Sequence, residues 1–198
     1  MKGAVGFWNR KGGVGKTTLS LHLAGMLSKY MTVLLIDQDT QESTISLVEK
    51  GNFTFSVTNT FKGVKNTKED FVIFDLPAGQ SVIPKPKTVF VPFLPSVIDY
   101  EPTKGTKAFL MRQGKTVVEI CNRVRGNQAI DREVVEKLSK KQKDRIISDR
   151  TIYQYSLNSG FTIFDDEIYN VYKNKKKIID NVRVEFENVF MPFFKNII

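Results

Sequence analysis

The sequence has very little cysteine and no long apolar run. Cys121 is the single cysteine among 198 residues, so the chain can form neither an internal disulfide nor a metal site built from several cysteines. No apolar stretch approaches the ~18 residues that a membrane span requires. The first residues, MKGAVGFW, lead directly into a predicted strand and leave no room for a signal peptide. We therefore expect a protein of the reducing, cytoplasmic compartment.

Internal repeats, low-complexity segments and interdomain linkers are also missing. Because 41% of the residues are hydrophobic, we predict one domain over residues 1–198 with a sizeable core. The net charge is +9, and residues 101–150 carry most of the excess, with 13 basic against 7 acidic side chains. Such a balance suits a polyanionic partner, either nucleic acid or an acidic membrane, although a surface selected for solubility explains it equally well.

Apolar runs that are hydrophobic on both faces alternate with helical patterns along the chain. This alternation predicts an α/β fold with a doubly wound, mostly parallel sheet flanked by helices. We also predict one long C-terminal helix from about Asp165 to Met191. The predicted strands are 3–8, 32–37, 70–75, 88–93, 116–122 and 145–148, and the predicted helices between them begin near Lys16 and span 101–113, 128–140 and 149–159.

The stretch NRKGGVGKTT, residues 9–18, lacks the glycine that opens an ordinary phosphate-binding loop. The pattern G-x-x-x-x-G-K-[ST] requires glycine at position 10, where this chain has Arg10 followed by Lys11. The rest of the pattern predicts backbone amides around phosphate, with Lys16 reaching the β- and γ-phosphates and Thr17 offering its hydroxyl to Mg²⁺. The predicted nucleotide-binding residues of this loop are Gly12, Gly13, Val14, Gly15, Lys16, Thr17 and Thr18.

Two further loops, IDQDTQ and FDLPAG, follow predicted strands and meet the same sheet edge. Asp37 and Asp75 end these strands, and we predict that they lie with Thr17 on the Mg²⁺ side of the site. Asp39 is predicted to position the water that attacks the γ-phosphate. Gly79 can bring its backbone N–H to the same phosphate.

The motifs KGGVGKTT with Lys11, VLLIDQD and FVIFDLPAG resemble those of the deviant-Walker-A ATPases, the ParA/MinD group of P-loop NTPases. The resemblance implies ATP and Mg²⁺ as cofactors and a sandwich homodimer in which Lys11 contacts the partner's ATP. It assigns Lys11, Lys16 and Asp39 to catalysis and matches Asn122 to an asparagine that contacts the base. One departure is Thr40, which stands where partition proteins usually have proline and leaves the hydrolysis rate open.

Within this group, the sequence most resembles the small ParF-like partition ATPases, which are DNA-associated. The resemblance implies non-specific binding to duplex DNA as the ATP dimer, and slow hydrolysis stimulated by a small, separate ParB/ParG-like centromere-binding protein. We expect no N-terminal helix-turn-helix, because the phosphate loop begins at residue 9. The candidate DNA contacts are Arg123, Arg125, Lys140, Lys141, Arg145 and Arg150.

Two alternatives remain open. The first is a MinD-like membrane-positioning ATPase, for which the tail FENVFMPFFKNII would have to serve as an amphipathic anchor. Pro192 interrupts that tail and Lys195 is its only cation after Arg183, so we expect the tail to pack on the domain instead. The second alternative is a nucleotide-gated assembly module with negligible turnover.

Overall fold

The computed structural model describes residues 2–38, 47, 51–60, 67–79 and 83–198. Within these residues, seven strands form a single sheet in the order β3-β2-β4-β1-β5-β6-β7, and every neighbouring pair is parallel. The predicted α/β fold with a mostly parallel sheet is thereby confirmed. The strands are β1 Gly3–Phe7, β2 Val33–Asp37, β3 Ser56–Thr58, β4 Phe71–Asp75, β5 Thr88–Phe93, β6 Thr116–Val124 and β7 Ile146–Ser148.

Helices cover both faces of the sheet. On one face, α1 and the C-terminal helix pack against alternate strand residues such as Phe7 and Phe90. On the other face, α2 packs against the residues between them, such as Val89 and Val91. Burial on both faces explains why the strands read as continuous apolar runs. The helices are α1 Lys16–Ser28, α2 Val97–Arg112, α3 Ala129–Lys137, α4 Lys140–Lys143, α5 Thr151–Asn158, α6 Ile168–Val171 and α7 Lys176–Phe190.

Helix α2 begins four residues earlier than the apolar periodicity indicates. Its N-terminus is set by Ser96, whose hydroxyl oxygen accepts a hydrogen bond from the backbone N–H of Asp99 at 3.2 Å. Pro102 lies within the helix rather than at its start. The first turn therefore depends on this cap, and an apolar pattern does not detect a cap.

The prediction of one helix from about Asp165 to Met191 was wrong. The segment forms two helices, α6 and α7, separated at residues 172–175. Tyr172 leaves the helical region, with φ −120° and ψ 56°, and the next residues form the lysine-rich run that ends at Lys177. Like charges at helical spacing repel one another, which disfavours a continuous helix through this run. Ile168 and Phe186 are both buried, so each helix contributes part of the apolar face that suggested a single one.

The C-terminal tail packs on the domain. Phe190 and Phe194 are fully buried, and both rings contact the ring of Phe90 in β5. A short 3-10 turn, Met191–Phe193, contains Pro192. Among the helices of the described residues, none has the length and apolarity needed to cross a bilayer.

Candidate nucleotide-binding site

The phosphate loop joins β1 to α1 at the carboxyl edge of the sheet, and its last glycine is confined by Asn122. Gly15 has φ +92°, and a Cβ at this position would lie 2.2 Å from Nδ2 of Asn122. Only glycine tolerates both the left-handed backbone and this close approach. Lys16 and Thr17 then open α1, which directs the positive end of the helix dipole at the loop. Lys16 is 7% exposed.

Asn9 anchors the first part of the phosphate loop through four hydrogen bonds, two of which join it to α2. Its Nδ2 group donates to the carbonyl of Pro92 at 2.8 Å and to Oγ1 of Thr103 at 3.0 Å. Its Oδ1 accepts from Oγ1 of Thr106 at 3.2 Å and from the backbone N–H of Lys11 at 3.1 Å. Both donors and both lone pairs of the amide are thus used, which fixes the position from which Lys11 emerges.

Arg10 occupies the place of the missing glycine and packs against α2. Its guanidinium lies over the ring of Phe109, 4.8 Å from the centroid, while Trp8 packs on the same ring with centroids 5.8 Å apart. The backbone carbonyl of Arg10 accepts a hydrogen bond from the N–H of Gly79 at 2.9 Å. The residue therefore ties the phosphate loop to both α2 and the loop that follows β4, and this gives its side chain a role.

Lys11 forms an ion pair with Asp99 of the same chain. The Lys11 side chain is 33% exposed and that of Asp99 is 13% exposed, so the pair stands at the surface of the site. Burial raises the pKa of Asp99, but the hydrogen bonds from Lys11 and Ser96 outweigh it, and the pKa lies below its ordinary value. The ammonium of Lys11 is therefore held at the first turn of α2.

Asp37 and Asp75 lie side by side at the ends of β2 and β4. They are direct register partners on adjacent parallel strands, and both are fully buried. Two carboxylates this close repel each other, and a divalent cation beside them would offset that repulsion. Oxygen donors from one or two carboxylates, a hydroxyl and substrate phosphates are what Mg²⁺ takes in nucleotide enzymes. Asp37, Asp75 and Thr17 therefore fit a Mg²⁺ ion that a bound nucleotide would complete.

Asn122 lies between the phosphate loop and a cavity of about 290 Å³. Its Nδ2 donates one hydrogen to the carbonyl of Val14 at 2.8 Å, which leaves the second N–H as a donor and Oδ1 as an acceptor for a ligand. The cavity is lined by Thr18, Leu19, Asn122, Arg123, Ser148, Asp149, Arg150, Thr151, Tyr153 and Gln154.

Comparisons with known proteins agree with this geometry. A family described as "AAA domain" matches residues 3–98. A plasmid partition protein from Borrelia burgdorferi, solved with AMPPNP, superposes with a TM-score of 0.72 at 20% identity over 98% of this chain and 99% of its own. A MinD from Pyrococcus horikoshii, solved with Mg-ADP, gives 0.69 at 17% identity over 96% of this chain and 95% of its own. A search of curated proteins gave no match.

The fold is that of the ParA- and MinD-type P-loop ATPases. A third structure with this fold, the ATP complex of a McdA variant from Cyanothece, gives a TM-score of 0.64 at 15% identity over 92% of this chain and 95% of its own. The resemblance to the ParA/MinD group that the sequence motifs indicated is thereby confirmed. At these identities the superpositions establish the fold, and functional conclusions have to come from the site.

The ParA/MinD fold brings most of the predicted site residues to one edge of the sheet. The loop from Lys11 to Thr18, the carboxylates of Asp37 and Asp75, and Asn122 all lie there. The N–H of Gly79 also lies at this edge, where it donates to Arg10. Asp39 and Thr40 fall outside the described residues.

The predicted DNA contacts lie on β6 and α4 and in the segments that follow β6, α4 and β7. Arg123 and Arg150 line the cavity beside Asn122. Arg125 pairs with the buried carboxylate of Asp131 at 3.5 Å. The guanidinium of Arg145 lies over the ring of Phe193 at 5.2 Å, where burial lowers its pKa. Lys140 and Lys141 are exposed on the short helix α4, and the assignment of the whole set to DNA stays a prediction.

Three residues of the site were missed by sequence reasoning. Asn9 and Phe109 gave no signal, because their roles depend on the contact between the loop and α2. Asp99, in contrast, could have been identified from the sequence. The pattern Ser96-x-x-Asp99 is a capping sequence, and it would have placed a carboxylate in the first turn of a helix after β5.

Proposed function

We propose that the protein is a Mg²⁺-dependent ATPase of the ParA partition type. The observation that carries the proposal is the placement of Lys11 at the exposed mouth of a phosphate loop, with its ammonium held on Asp99 rather than in its own loop. A cation in that position can reach the phosphates of a second protomer placed against the same edge. The active state is then a nucleotide sandwich dimer with Lys11 acting in trans.

In this proposal the nucleotide and the metal bind at the same carboxyl edge of the sheet. The loop cradles the phosphates of ATP, Lys16 contacts the β- and γ-phosphates, and Thr17, Asp37 and Asp75 hold Mg²⁺. Mg²⁺ draws electron density from the γ-phosphate when bound. The remaining donor and acceptor of the Asn122 amide can contact the adenine base. The AMPPNP in the partition protein and the Mg-ADP in MinD support these ligands.

The chemical step is hydrolysis of ATP to ADP and phosphate. Asp39 orients the attacking water, and Lys11 of the opposite protomer adds positive charge where the transition state becomes more negative. Because completion of the site depends on a second protomer, turnover is slow in the monomer. A partner protein on the cargo, of the ParB/ParG-like kind, stimulates hydrolysis and so releases the dimer from DNA.

Partition is favoured over membrane positioning by the state of the C-terminal tail. A MinD-like anchor requires an apolar tail face that is free to enter a bilayer. Here Phe190 and Phe194 are fully buried against the sheet, and using them as an anchor would open the core. The +9 net charge suits DNA as the surface on which the ATP dimer is retained.

The proposal is tested by measuring dimerisation and DNA binding with ATP, ADP or no nucleotide. Light scattering coupled to size exclusion should show a Mg-ATP-dependent dimer, and duplex DNA should bind in that state alone. Co-sedimentation with anionic vesicles in place of DNA would support the membrane alternative. A DNA-binding dimer without measurable turnover, with or without a partner, would identify a nucleotide-gated module instead of an ATPase.

A further inference from the structure

We propose that the DNA-contacting surface of this chain is the corner between α6 and α7. Its members, here called the lysine corner, are Tyr155, Tyr172, Lys173, Lys175, Lys176 and Lys177. Its partner is the phosphate backbone of duplex DNA. The inference rests on the proposed function, in which the ATP dimer is held on DNA.

The four lysines of the corner carry charge that the protein does not neutralise. All four are exposed, and none forms an ion pair with a carboxylate among the described residues. Two acidic groups of the same region have other partners, since Asp180 accepts a hydrogen bond from Tyr169 and Asp166 pairs with Arg183. Four cations within five residues therefore face solvent, which is what contact with successive phosphates requires.

Aromatic rings support these cations. Tyr155 of α5 is 51% exposed, and its ring stacks on that of Tyr172 with centroids 6.5 Å apart and planes at 24°. The Lys175 ammonium lies over the Tyr172 ring at 5.9 Å, and that of Lys176 lies over the Tyr169 ring at the same distance. Contact with a ring restricts the lysine, so less conformational entropy is lost when a phosphate binds.

The position of the lysines is unfavourable for the helix that carries them. Lys175 is the N-cap of α7, and Lys176 and Lys177 are its first two residues. The first turn contains no acidic residue and no side-chain cap, so lysine charge adds to the positive end of the helix dipole. This arrangement lowers helix stability, and folding alone does not account for it. A bound polyanion would reverse the penalty.

The corner fits DNA better than a lipid surface. Binding to a bilayer needs apolar side chains that insert, together with cations that face the headgroups. The exposed apolar side chains of α6 and α7 are three aliphatic ones, Val171, Ile178 and Val184, at 47%, 49% and 54% exposure, and none is aromatic. The phenylalanines of the tail are buried in the core. Positive charge is thus the dominant property of this surface.

The test compares two variants that each lose three lysines from the full chain. The first carries Lys175→Gln, Lys176→Gln and Lys177→Gln. The matched control carries Lys140→Gln, Lys141→Gln and Lys143→Gln, which removes the same charge from the exposed lysines of α4. Binding of Mg-ATP-loaded protein to duplex DNA is measured by fluorescence anisotropy between about 50 and 200 mM salt. Thermal unfolding and binding to anionic vesicles are recorded for each protein.

The corner variant should bind DNA at least about tenfold more weakly at the lowest salt, and the slope of log K against log salt should fall by about three per protomer. Its melting temperature should stay equal or rise, because the helix loses unfavourable charge. The α4 variant should keep its slope to within about one. Weaker DNA binding without a loss of stability is a result that a folding defect cannot produce.

Three results would overturn the assignment. If the wild type binds DNA and the corner variant keeps its affinity and slope, the surface is wrong while the proposed function stands. If the wild type does not bind duplex DNA with Mg-ATP, the DNA step of the proposed function fails and the surface falls with it. If the wild type binds anionic vesicles and only the corner variant loses that binding, the surface contacts membrane instead.

Discussion

The ammonium of Lys11 lies against the carboxylate of Asp99 in the first turn of α2 of the same chain. In the proposed dimer the same ammonium contacts the partner's ATP, so it has to leave Asp99. The ion pair therefore stabilises the monomer relative to the dimer. Because Asn9 fixes the backbone of Lys11, the exchange is a movement of the side chain alone.

Asp99→Asn should increase ATP-dependent dimerisation, because the monomer no longer holds Lys11 by charge. A surface ion pair contributes about 0.2–1 kcal/mol, and each dimer breaks two such pairs, one per protomer, so we expect a dimer dissociation constant up to about thirtyfold lower. The measurement is sedimentation velocity with Mg-ATP.

Lys11→Ala should abolish the dimer while leaving nucleotide binding to the monomer. A Lys11→Ala protein that dimerises normally would remove the trans role.

Asn9→Ala should destabilise the protein and weaken nucleotide binding, because it removes the four hydrogen bonds that join the loop to β5 and α2 and hold the Lys11 N–H. We expect a loss of about 3 kcal/mol in the free energy of unfolding, measured in urea. Thr106→Val removes one of the four bonds and should cost about 1 kcal/mol. Fluorescence of Trp8, the only tryptophan, reports nucleotide binding because its ring packs on Phe109 beside the loop. If Asn9→Ala and Thr106→Val lower the free energy of unfolding equally, the Asn9 amide does not organise the contact between the phosphate loop and α2.

Gly15→Ala should destabilise the protein even without nucleotide. The left-handed backbone costs about 1–2 kcal/mol for any residue with a Cβ, and the 2.2 Å approach to Asn122 adds a steric term. Gly12→Ala is the matched control for stability, since its Cβ would meet only the Cβ of Ala78 at 3.7 Å. The double variant Gly15→Ala/Asn122→Ala should regain only the stability lost to the clash with Asn122, because the cost of the left-handed backbone remains. If Gly12→Ala and Gly15→Ala melt at the same temperature, this account of the loop is incorrect.

The sequence predicted the parts of the molecule that depend on local pattern. The strands ending at Asp37 and Asp75 could be placed because parallel strands buried on both faces are continuous apolar runs. The three-residue strand β3, Ser56–Thr58, was missed because it is short and polar at its edge position. The Asn9 network and the ring under Arg10 could not be predicted, since both require knowing that α2 lies against the phosphate loop.

Asp39→Ala should trap the ATP dimer, because the water that attacks the γ-phosphate loses its positioning carboxylate. We expect turnover to fall at least about a hundredfold while dimerisation and DNA binding persist. A coupled phosphate-release assay, run beside light scattering, measures both properties. Asp39→Asn retains the size of the side chain and separates loss of charge from loss of packing. Unchanged turnover in either variant would exclude the residue from hydrolysis.

His22 should make the protein less stable in mild acid. It is fully buried in α1, where its Nε2 donates to the carbonyl of Tyr153 at 3.0 Å and its Nδ1 accepts from the N–H of Ile163 at 3.2 Å. Burial lowers the pKa of His22 to about 4, although the hydrogen bond to Tyr153 acts in the opposite direction. Both ring nitrogens are used by the neutral imidazole, and protonation would break the bond from Ile163.

The unfolded chain binds this proton below about pH 6.5, whereas the folded protein binds it only near pH 4. Between these values the unfolded state holds more protons, so the free energy of unfolding decreases as the pH is lowered. At pH ~5 the decrease is about 2 kcal/mol. Urea unfolding across this range measures the loss. His22→Gln keeps a donor and an acceptor but does not titrate, and His22 is the only histidine. The difference between the two pH profiles therefore isolates its contribution, and parallel profiles would show that the ring is not held neutral.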